Sequence, residues 1–187
     1  MYRRYLSVFL LVLTMSLPVL AKEIGGVNLP DQFQSGNEQL ILNGAGLRKK
    51  LFIKVYAGGL YLRKKESDTR KIIDADEPMA IRMQFIHDGV SPEKLIEAWN
   101  KGFVSATGGN LAPLKERADK FNSFFTEEAR KGDVYDILYT SSDGVSVTIK
   151  GKLKGTIKGL DFKKALFAIW LGESPADNSL KEGMLGK

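Results

Sequence analysis

The sequence predicts an α+β fold in which antiparallel strands are covered by helices. Three observations predict it. Residues 79–87, MAIRMQFIH, alternate apolar and polar side chains with the period of a half-buried strand. Residues 134–149 read as two strands joined by a turn that contains Asp143-Gly144. Residues 91–103 combine helix-start residues with apolar residues at helical spacing.

The first strands are expected between residues 39 and 62. Residues 39–42, QLIL, read as a short strand that ends at the small residues of GAG, 44–46. Residues 51–62, LFIKVYAGGLYL, are rich in the β-branched and aromatic residues that favour strands. The pair Gly58-Gly59 in this run predicts a bulge, or a place where a ligand or another backbone comes close.

Helices are expected in the second half of the chain. Ser91 is a good N-cap and Pro92 fits the first helical position of one helix. A second helix is expected over residues 113–130, where apolar residues recur at helical spacing. A third is expected over residues 161–171, ended by Gly172, and a short one in the tail. The apolar stripes of the first two comprise Leu95, Ile96, Trp99 and Phe103, then Leu114, Ala118, Phe121 and Phe125.

The first 21 of the 187 residues have the pattern of an export signal. Two early arginines precede an apolar run, 5–17, and Val19 and Ala21 supply the small residues of a cleavage site. Cleavage after Ala21 is expected, which leaves a single domain over 22–187 in the periplasm. The alternative, an uncleaved membrane anchor, is disfavoured because the apolar run is short for a bilayer span and charged residues follow it at once.

Composition excludes several classes of function. Removal of the two signal arginines leaves 26 Lys and Arg against 22 Asp and Glu, a net charge of about +4 that is scattered, so nucleic acid is not an expected partner. The chain has no cysteine, and His87 is its one histidine, so thiolate sites, histidine-rich metal sites and a Ser-His-Asp triad are not expected. No phosphate-binding glycine motif occurs. No cofactor, no metal and no membrane span after cleavage are predicted, and a monomer is expected.

Several motifs together resemble those of a known family. GAGLRKK followed by LFIKVYAGGLYL, the opening IGGVNLPD and the closing ALFAIWLGESPADNSLKEGMLG are similar to the chalcone isomerase family, in particular its exported bacterial chalcone-isomerase-like branch. The resemblance covers about Ile24 to Leu185. It implies an open-faced β-sandwich, that is, a large antiparallel sheet with a layer of helices on one face and a cleft between them.

Arg48 is the main candidate site residue. The sequence alone allows two interpretations of Arg48: it binds an anionic ligand, or it neutralises a strand end beside Lys49 and Lys50. The resemblance implies the first, since the arginine of GAG-x-R lines the cleft of plant chalcone isomerases and holds the ligand carboxylate in fatty-acid-binding members. A guanidinium suits both tasks because it stays charged in a half-buried cleft and offers a planar fork to an oxyanion.

The rest of the plant enzymes' catalytic set is not retained at the matching positions. Their threonine falls on Tyr56, their tyrosine on Lys94, and their helical asparagine lies one residue out of register with Asn100. Their Thr-Met pair corresponds to Ile169-Trp170, which removes a hydroxyl that helps to place a flavonoid ring. What the resemblance retains is one cation in an apolar cleft.

The predicted function is therefore non-catalytic binding of an amphipathic carboxylate such as a fatty acid, with Arg48 at the head group and Tyr56 beside it. Each apolar candidate is also consistent with plain core. One alternative is an isomerase that closes a chalcone-type ring, in which Arg48 stabilises the developing anion. Another is an interaction domain with a filled cleft, in which Arg48 folds onto its own backbone. The candidate ligand-binding residues are Arg48, Tyr56, Asn100, Phe103, Ile169 and Trp170.

Overall fold

The computed structural model describes residues 21–187, so the predicted export signal lies outside the described residues apart from its last residue. The strands are β1 Ala21–Ile24, β2 Val27–Pro30, β3 Gln32–Ser35, β4 Glu38–Lys50, β5 Ile53–Leu62, β6 Met79–Phe85, β7 Val134–Thr140, β8 Gly144–Ile149 and β9 Lys152–Ile157. The α-helices are α1 Thr69–Asp74, α2 Pro92–Ala106, α3 Lys115–Asn122, α4 Leu160–Leu171 and α5 Asn178–Met184, and a 3₁₀ turn, Ala112–Leu114, precedes α3.

Seven strands form one antiparallel sheet in which each strand pairs with the next in the chain, in the order β3-β4-β5-β6-β7-β8-β9. Strands β1 and β2 form a separate hairpin. The helices pack on one face of the sheet and bury its main apolar core, while the β1-β2 hairpin covers part of the opposite face. The predicted fold, α+β with a large antiparallel sheet and helices over one face, is confirmed.

Strand β4 is much longer than the sequence predicts. It does not end at GAG but continues through it to Lys50, so Arg48 lies within a strand. The glycines are required because the backbone of α5 lies directly on β4. A Cβ at Gly44 would be 2.3 Å from the carbonyl oxygen of Gly183, and a Cβ at Gly46 would be 2.8 Å from the Cα of Leu180. The small residues of GAG therefore make room for a helix.

Of the two interpretations of Gly58-Gly59, the bulge is wrong, since this pair lies in regular register opposite Ala45 and Gly46. A close approach is present at Gly58, but it is made by the side chains of Met184 and Leu180 rather than by a backbone. The irregularities in the β4-β5 pairing lie instead between Leu42 and Gly44 and between Arg48 and Lys49. At the first of them the extra residue is Asn43. Its buried amide donates to the carbonyl oxygen of Met184 at 2.9 Å, so the irregularity ties β4 to the end of α5. Strand β5 begins at Ile53 rather than residue 51, since Leu51 and Phe52 form the turn that precedes it.

The second predicted helix is shorter than expected, because α3 ends at Asn122 rather than near residue 130. The chain after it forms a turn, and Ala129 then pairs with Val90 through two backbone hydrogen bonds. Phe125, although outside the helix, remains buried with its ring centroid 5.4 Å from that of Trp99. Apolar spacing therefore predicted the buried residues correctly but not the helix end.

Strand β9 and helix α1 were not predicted. A tight turn leads into β9, with positive φ angles at Lys150 (52°) and Gly151 (75°), and this is the turn chemistry of a two-residue hairpin. Helix α1 depends on a buried lysine of α4. Lys163, fully buried, donates to the carbonyl oxygens of Ile72, Ile73 and Ala75 at 3.0, 2.9 and 2.8 Å. Two of these carbonyls lie in the last turn of α1 and the third on the residue that follows it, so an internal cation stabilises the C-terminal end of the helix.

Within residues 21–187, none of the helices combines the length and the apolar character that a bilayer crossing requires.

Candidate functional site

Arg48 lies on the helix-covered face of the sheet, opposite Tyr56 in the β4-β5 pairing. Its side chain is 26% exposed. One guanidinium nitrogen, Nη1, donates to the carbonyl oxygen of Lys49 at 2.6 Å and lies 3.5 Å from Oδ2 of Asp177. Among the residues that the structure describes, Arg48 makes hydrogen bonds through Nη1 only. The Nε and Nη2 donors of a half-buried cation therefore remain available.

Asp177 connects Arg48 to the last helix. One of its oxygens accepts from the backbone N–H of Lys49 at 3.0 Å, and the other caps α5 by accepting from the N–H of Leu180 at 3.1 Å. Burial raises the pKa of Asp177, but these two backbone donors and the Arg48 charge outweigh it, so the pKa is lowered overall. An ionised carboxylate thus already sits beside Arg48, at a distance too long for a strong bidentate pair.

A second half-buried arginine, Arg82, has its guanidinium donors paired and provides a comparison for Arg48. Arg82, on the opposite face of the sheet, is 24% exposed in its side chain. Its Nε and Nη2 donate to the two carboxylate oxygens of Asp136 at 2.7 and 2.9 Å. Both donors of this fork of Arg82 are paired, whereas the corresponding donors of Arg48 have no partner among residues 21–187.

Tyr56 and Trp170 form a buried polar pair beneath Arg48. The indole Nε1 of Trp170 donates to the Tyr56 hydroxyl oxygen at 3.0 Å. Burial raises the pKa of Tyr56 to about 12, although the Trp170 hydrogen bond and the Arg48 charge oppose the shift. The hydroxyl is therefore neutral at physiological pH. The structure records it only as an acceptor, so its own O–H can donate to a ligand.

Replacing Tyr56 with phenylalanine is expected to make the free energy of unfolding fall less steeply as the pH rises from 10 to 12. The folded-state pKa of about 12 lies above the ordinary value of 10.0, so the neutral phenol stabilises the fold fully below pH 10 and this stabilisation is lost as pH rises through 12. Each such group adds a slope of up to about 1.4 kcal/mol per pH unit in this window. Urea unfolding of the two proteins between pH 9 and 12 measures the difference, and parallel pH profiles would contradict it.

The other candidate residues occupy different environments. Phe103 is fully buried, with ring centroids 5.7 Å from Phe121 and 5.6 Å from Phe162. Ile169 is buried against α2, where it fills the space beside Gly102. Both lie in the interface between helices, as plain core residues do. Asn100 is exposed on α2, and its side-chain oxygen accepts from the amide of Asn122 at 2.7 Å.

Trp99 packs among the same buried aromatic rings as Phe103 and Trp170, and the sequence predicts it only as part of an apolar stripe. Its ring centroid lies 5.4 Å from that of Trp170. Its Nε1 is buried and has no hydrogen-bond partner among the described residues. A buried donor without a partner costs about 1 to 3 kcal/mol, so a polar atom supplied from outside the chain would be stabilised there. Spacing could identify Trp99 as buried but could not show an unpaired N–H.

Two surface hollows lie away from Arg48. One, of about 410 Å³, is lined by Glu127, Glu128, Arg130 and Lys150. The other, of about 170 Å³, lies at the end of β5 and is lined by residues that include Leu62 and Met79. Over residues 21–187, the structure brings together no group of three or more side chains suited to hold a metal ion.

Comparison with known families decides the classification. A family model described as chalcone isomerase-like matches residues 21–186. The chain belongs to the chalcone isomerase-like family. The resemblance noted from GAG-x-R and the closing IWLG motif is thereby confirmed at the level of the family.

This chalcone isomerase-like chain is similar to a curated plant protein. It is 24% identical over 177 residues to Fatty-acid-binding protein 1 of Arabidopsis thaliana, with 77% of this chain and 62% of that protein covered. The chain therefore spans less than two thirds of that relative's length. A crystal structure of an Arabidopsis thaliana fatty-acid-binding protein matches with a TM-score of 0.69 at 21% identity, over 89% of this chain and 95% of that one. At this identity the match shows a shared fold.

Proposed function

We propose that this protein binds a fatty acid or a similar amphipathic carboxylate without transforming it. The observation that carries the proposal is Arg48, a half-buried cation whose Nε and Nη2 donors have no acceptor among the described residues. A carboxylate head group offers two oxygens at the spacing that this fork recognises. The names of the plant relative and of the matched crystal structure, both fatty-acid-binding proteins, support the same ligand class.

The groups around Arg48 support a head-group site. The Tyr56 hydroxyl lies on the same sheet face and donates to no acceptor in the described part of the chain, and the Asp177 carboxylate already lies beside the guanidinium. Asp177 is 3.5 Å from Nη1, so a ligand carboxylate can take the stronger position on Nε and Nη2 while Asp177 keeps its role as the cap of α5. The head group is thus held by charge-assisted hydrogen bonds, each worth about 1.5 to 3 kcal/mol.

The apolar tail would lie between the sheet and the helices. Phe103, Ile169 and Trp170 are packed closely there, so the tail enters by displacing side chains rather than by filling a ready space. Ile169 is the side chain that separates α4 from α2 at Gly102. We therefore place the tail along Trp170 and Ile169, with α2 moving outward as it enters.

Two functions compete with binding. The interaction domain is one, and the hydrogen bond from Arg48 Nη1 to the Lys49 carbonyl oxygen is the backbone contact that it predicts. Ring closure is the other, and the state of Tyr56 argues against it. A phenol with a pKa of about 12, whose oxygen already accepts from Trp170, is a poor proton donor near neutral pH. An isomerase at this site would therefore depend on Arg48 to stabilise the developing anion. Chalcone cyclisation that is faster than the spontaneous rate with the native protein, and not with Arg48→Ala, would overturn the binding proposal.

Replacing Arg48 with alanine is expected to weaken fatty-acid binding at least tenfold, because charge-assisted hydrogen bonds to the head group are lost, and a tenfold loss corresponds to about 1.4 kcal/mol. Arg48→Lys keeps the charge but loses the fork, so an intermediate affinity is expected. Displacement of a fluorescent fatty acid measures the affinities, and native mass spectrometry detects lipid that co-purifies.

Lys49→Ala is the matched control, since it removes an exposed cation from the adjacent position and is expected to leave the affinity unchanged. The proposal fails if no lipid co-purifies and fatty acid does not raise the melting temperature of the native protein. It also fails if Arg48→Ala binds as the native protein does.

We further propose the setting in which this binding takes place. The pattern of residues 1–21 supports export, cleavage after Ala21 and a periplasmic location, as in the exported bacterial branch of the family. The domain 22–187 is proposed to act as a monomer. Intact mass and size-exclusion chromatography of the periplasmic protein test these three statements.

A further inference from the structure

The turn between β4 and β5 exposes an unusual set of side chains. We name residues Lys50–Lys54, KLFIK, the 50–54 tip. Leu51 is 87% exposed, Phe52 100% and Ile53 47%. Five large apolar residues are exposed in the described part of the chain, and these three are consecutive, whereas Val104 and Leu153 stand apart. Single exposed apolar residues are ordinary on protein surfaces, but a projecting run of three is not.

The sequence of the turn runs against hairpin chemistry. Leu51 has a φ of +55°, a conformation that glycine or asparagine adopts at lower cost in a two-residue hairpin turn. The adjacent Phe52 is fully solvated. Neither side chain contributes to the buried core of the fold. The tip therefore retains apolar residues where folding alone favours small polar ones.

Cations surround these apolar residues. Lys50 and Lys54 flank them directly, both exposed, and Lys49 precedes them, with no acidic residue between 48 and 54. Arg48 adds less, because the Asp177 carboxylate lies beside it. An acidic neighbour on α2, Glu97, is itself engaged, since its pKa is lowered first by a hydrogen bond from Lys101 and more weakly by the charge of Lys50. The tip thus exposes apolar side chains that are flanked by positive charges.

We propose that the 50–54 tip docks the protein on the surface of an anionic phospholipid bilayer. Leu51, Phe52 and Ile53 enter the headgroup region, and Lys50 and Lys54 contact the lipid phosphates. Apolar burial combined with attraction to anionic lipid is the physical basis of interfacial binding. A second copy of the chain fits poorly, because a single turn falls short of the roughly 800 Å² per partner of a stable interface and its cations would repel their own symmetry mates.

The tip lies close to the proposed head-group site, so docking would have a functional consequence. Strands β4 and β5 lead directly from the tip to Arg48 and Tyr56, which face each other in the same hairpin. A docked protein therefore holds its head-group site close to the membrane surface, where free fatty acids partition. This consequence rests on the proposed function, whereas the docking itself does not.

Vesicle co-sedimentation tests the docking. Every protein is purified from the same exporting host with the same N-terminus, verified by intact mass, and is mixed with vesicles of phosphatidylcholine alone or of phosphatidylcholine with phosphatidylglycerol. The native protein is expected to bind the anionic vesicles, more weakly as salt is added. The double variant Leu51→Ser, Phe52→Ser is expected to bind at least tenfold more weakly. Lys50→Glu with Lys54→Glu is expected to lose the preference for anionic lipid.

Leu153→Ser is the matched control, since it removes another exposed apolar side chain, 65% exposed on β9, and is expected to bind as the native protein does. A Phe52→Trp variant reports insertion directly, because the two native tryptophans are buried and its emission is expected to shift to the blue on anionic vesicles. All substitutions of the tip lie on an exposed turn, so circular dichroism is expected to show an unchanged fold.

Several results would overturn the proposal. The proposal is wrong if the native protein does not bind anionic vesicles, or if the Leu51→Ser, Phe52→Ser variant binds them as strongly as the native protein does. It is also wrong if the native protein forms a concentration-dependent dimer that this variant abolishes, because the tip would then contact a second copy. The two proposals fail separately. If the native protein binds no fatty acid in solution but still binds vesicles through the tip, the proposed function is wrong and the docking stands.

Discussion

Replacing Lys163 with alanine is expected to lower the free energy of unfolding by about 3 to 5 kcal/mol, because it leaves buried carbonyl oxygens unpaired and a cavity in the core. Lys163 donates to three carbonyl oxygens at the end of α1, and each would lose a charge-assisted bond. Its ammonium also lies 5.4 Å from the ring centroids of Tyr139 and Phe167. Urea unfolding at pH 7 measures the loss, because burial lowers the pKa of Lys163 to about 8 and the ammonium form still predominates there.

Two further variants separate the causes. Lys163→Met fills most of the volume, so its remaining loss reports the unpaired carbonyls rather than a cavity. Lys164→Ala is the matched control: the neighbouring lysine is 40% exposed and pairs with Asp74 on the surface, so a loss below about 1 kcal/mol is expected. Equal losses at Lys163 and Lys164 would show that the internal cation does not stabilise α1.

Replacing Gly44 with alanine is expected to destabilise the fold by about 3 kcal/mol, at the upper end of the usual cost of overpacking. The added methyl would lie 2.3 Å from the carbonyl oxygen of Gly183, 2.7 Å from the nitrogen of Gly186 and 2.8 Å from the carbonyl oxygen of Met184. All three are backbone atoms of the C-terminal segment, so α5 must move away from β4. Thermal unfolding measures the loss, and limited proteolysis is expected to cleave the variant first in this segment.

Gly36→Ala controls for the removal of a glycine as such. Gly36 lies in an exposed turn at a φ of +56°, with open space where a Cβ would be. Its replacement is expected to cost about 1 kcal/mol, from backbone strain alone. A Gly44→Ala variant no less stable than Gly36→Ala would mean that α5 does not lie tightly on the strand.

Local patterns predicted the regular elements well. Ser91 caps α2 and Pro92 is its first residue, as the sequence indicated, and the turn at Asp143-Gly144 joins β7 to β8. Alternation along residues 79–85 identified the buried side of β6. These features depend on side chains close in the chain, which a sequence shows directly.

Features that depend on distant partners were missed. The local sequence predicts that a strand ends at GAG, but its glycines make room for a helix more than 130 residues later in the chain. Nothing in the local sequence distinguishes Lys163 from the other lysines, although it is fully buried under α1. In the candidate site, Arg48 and Tyr56 face each other because of register, whereas Asp177 approaches only through the packing of α5. No local spacing encodes that approach.

In the described residues the sheet ends in two edge strands, β3 and β9, and each has a feature that opposes intermolecular strand pairing. At one border, β3 is only four residues long. At the other, β9 carries Lys152 and Lys154 on either side of its exposed Leu153. Short edge strands and lysines are the means by which sheets avoid adding a foreign strand. Aggregation of the folded protein is thereby opposed at both margins of the sheet.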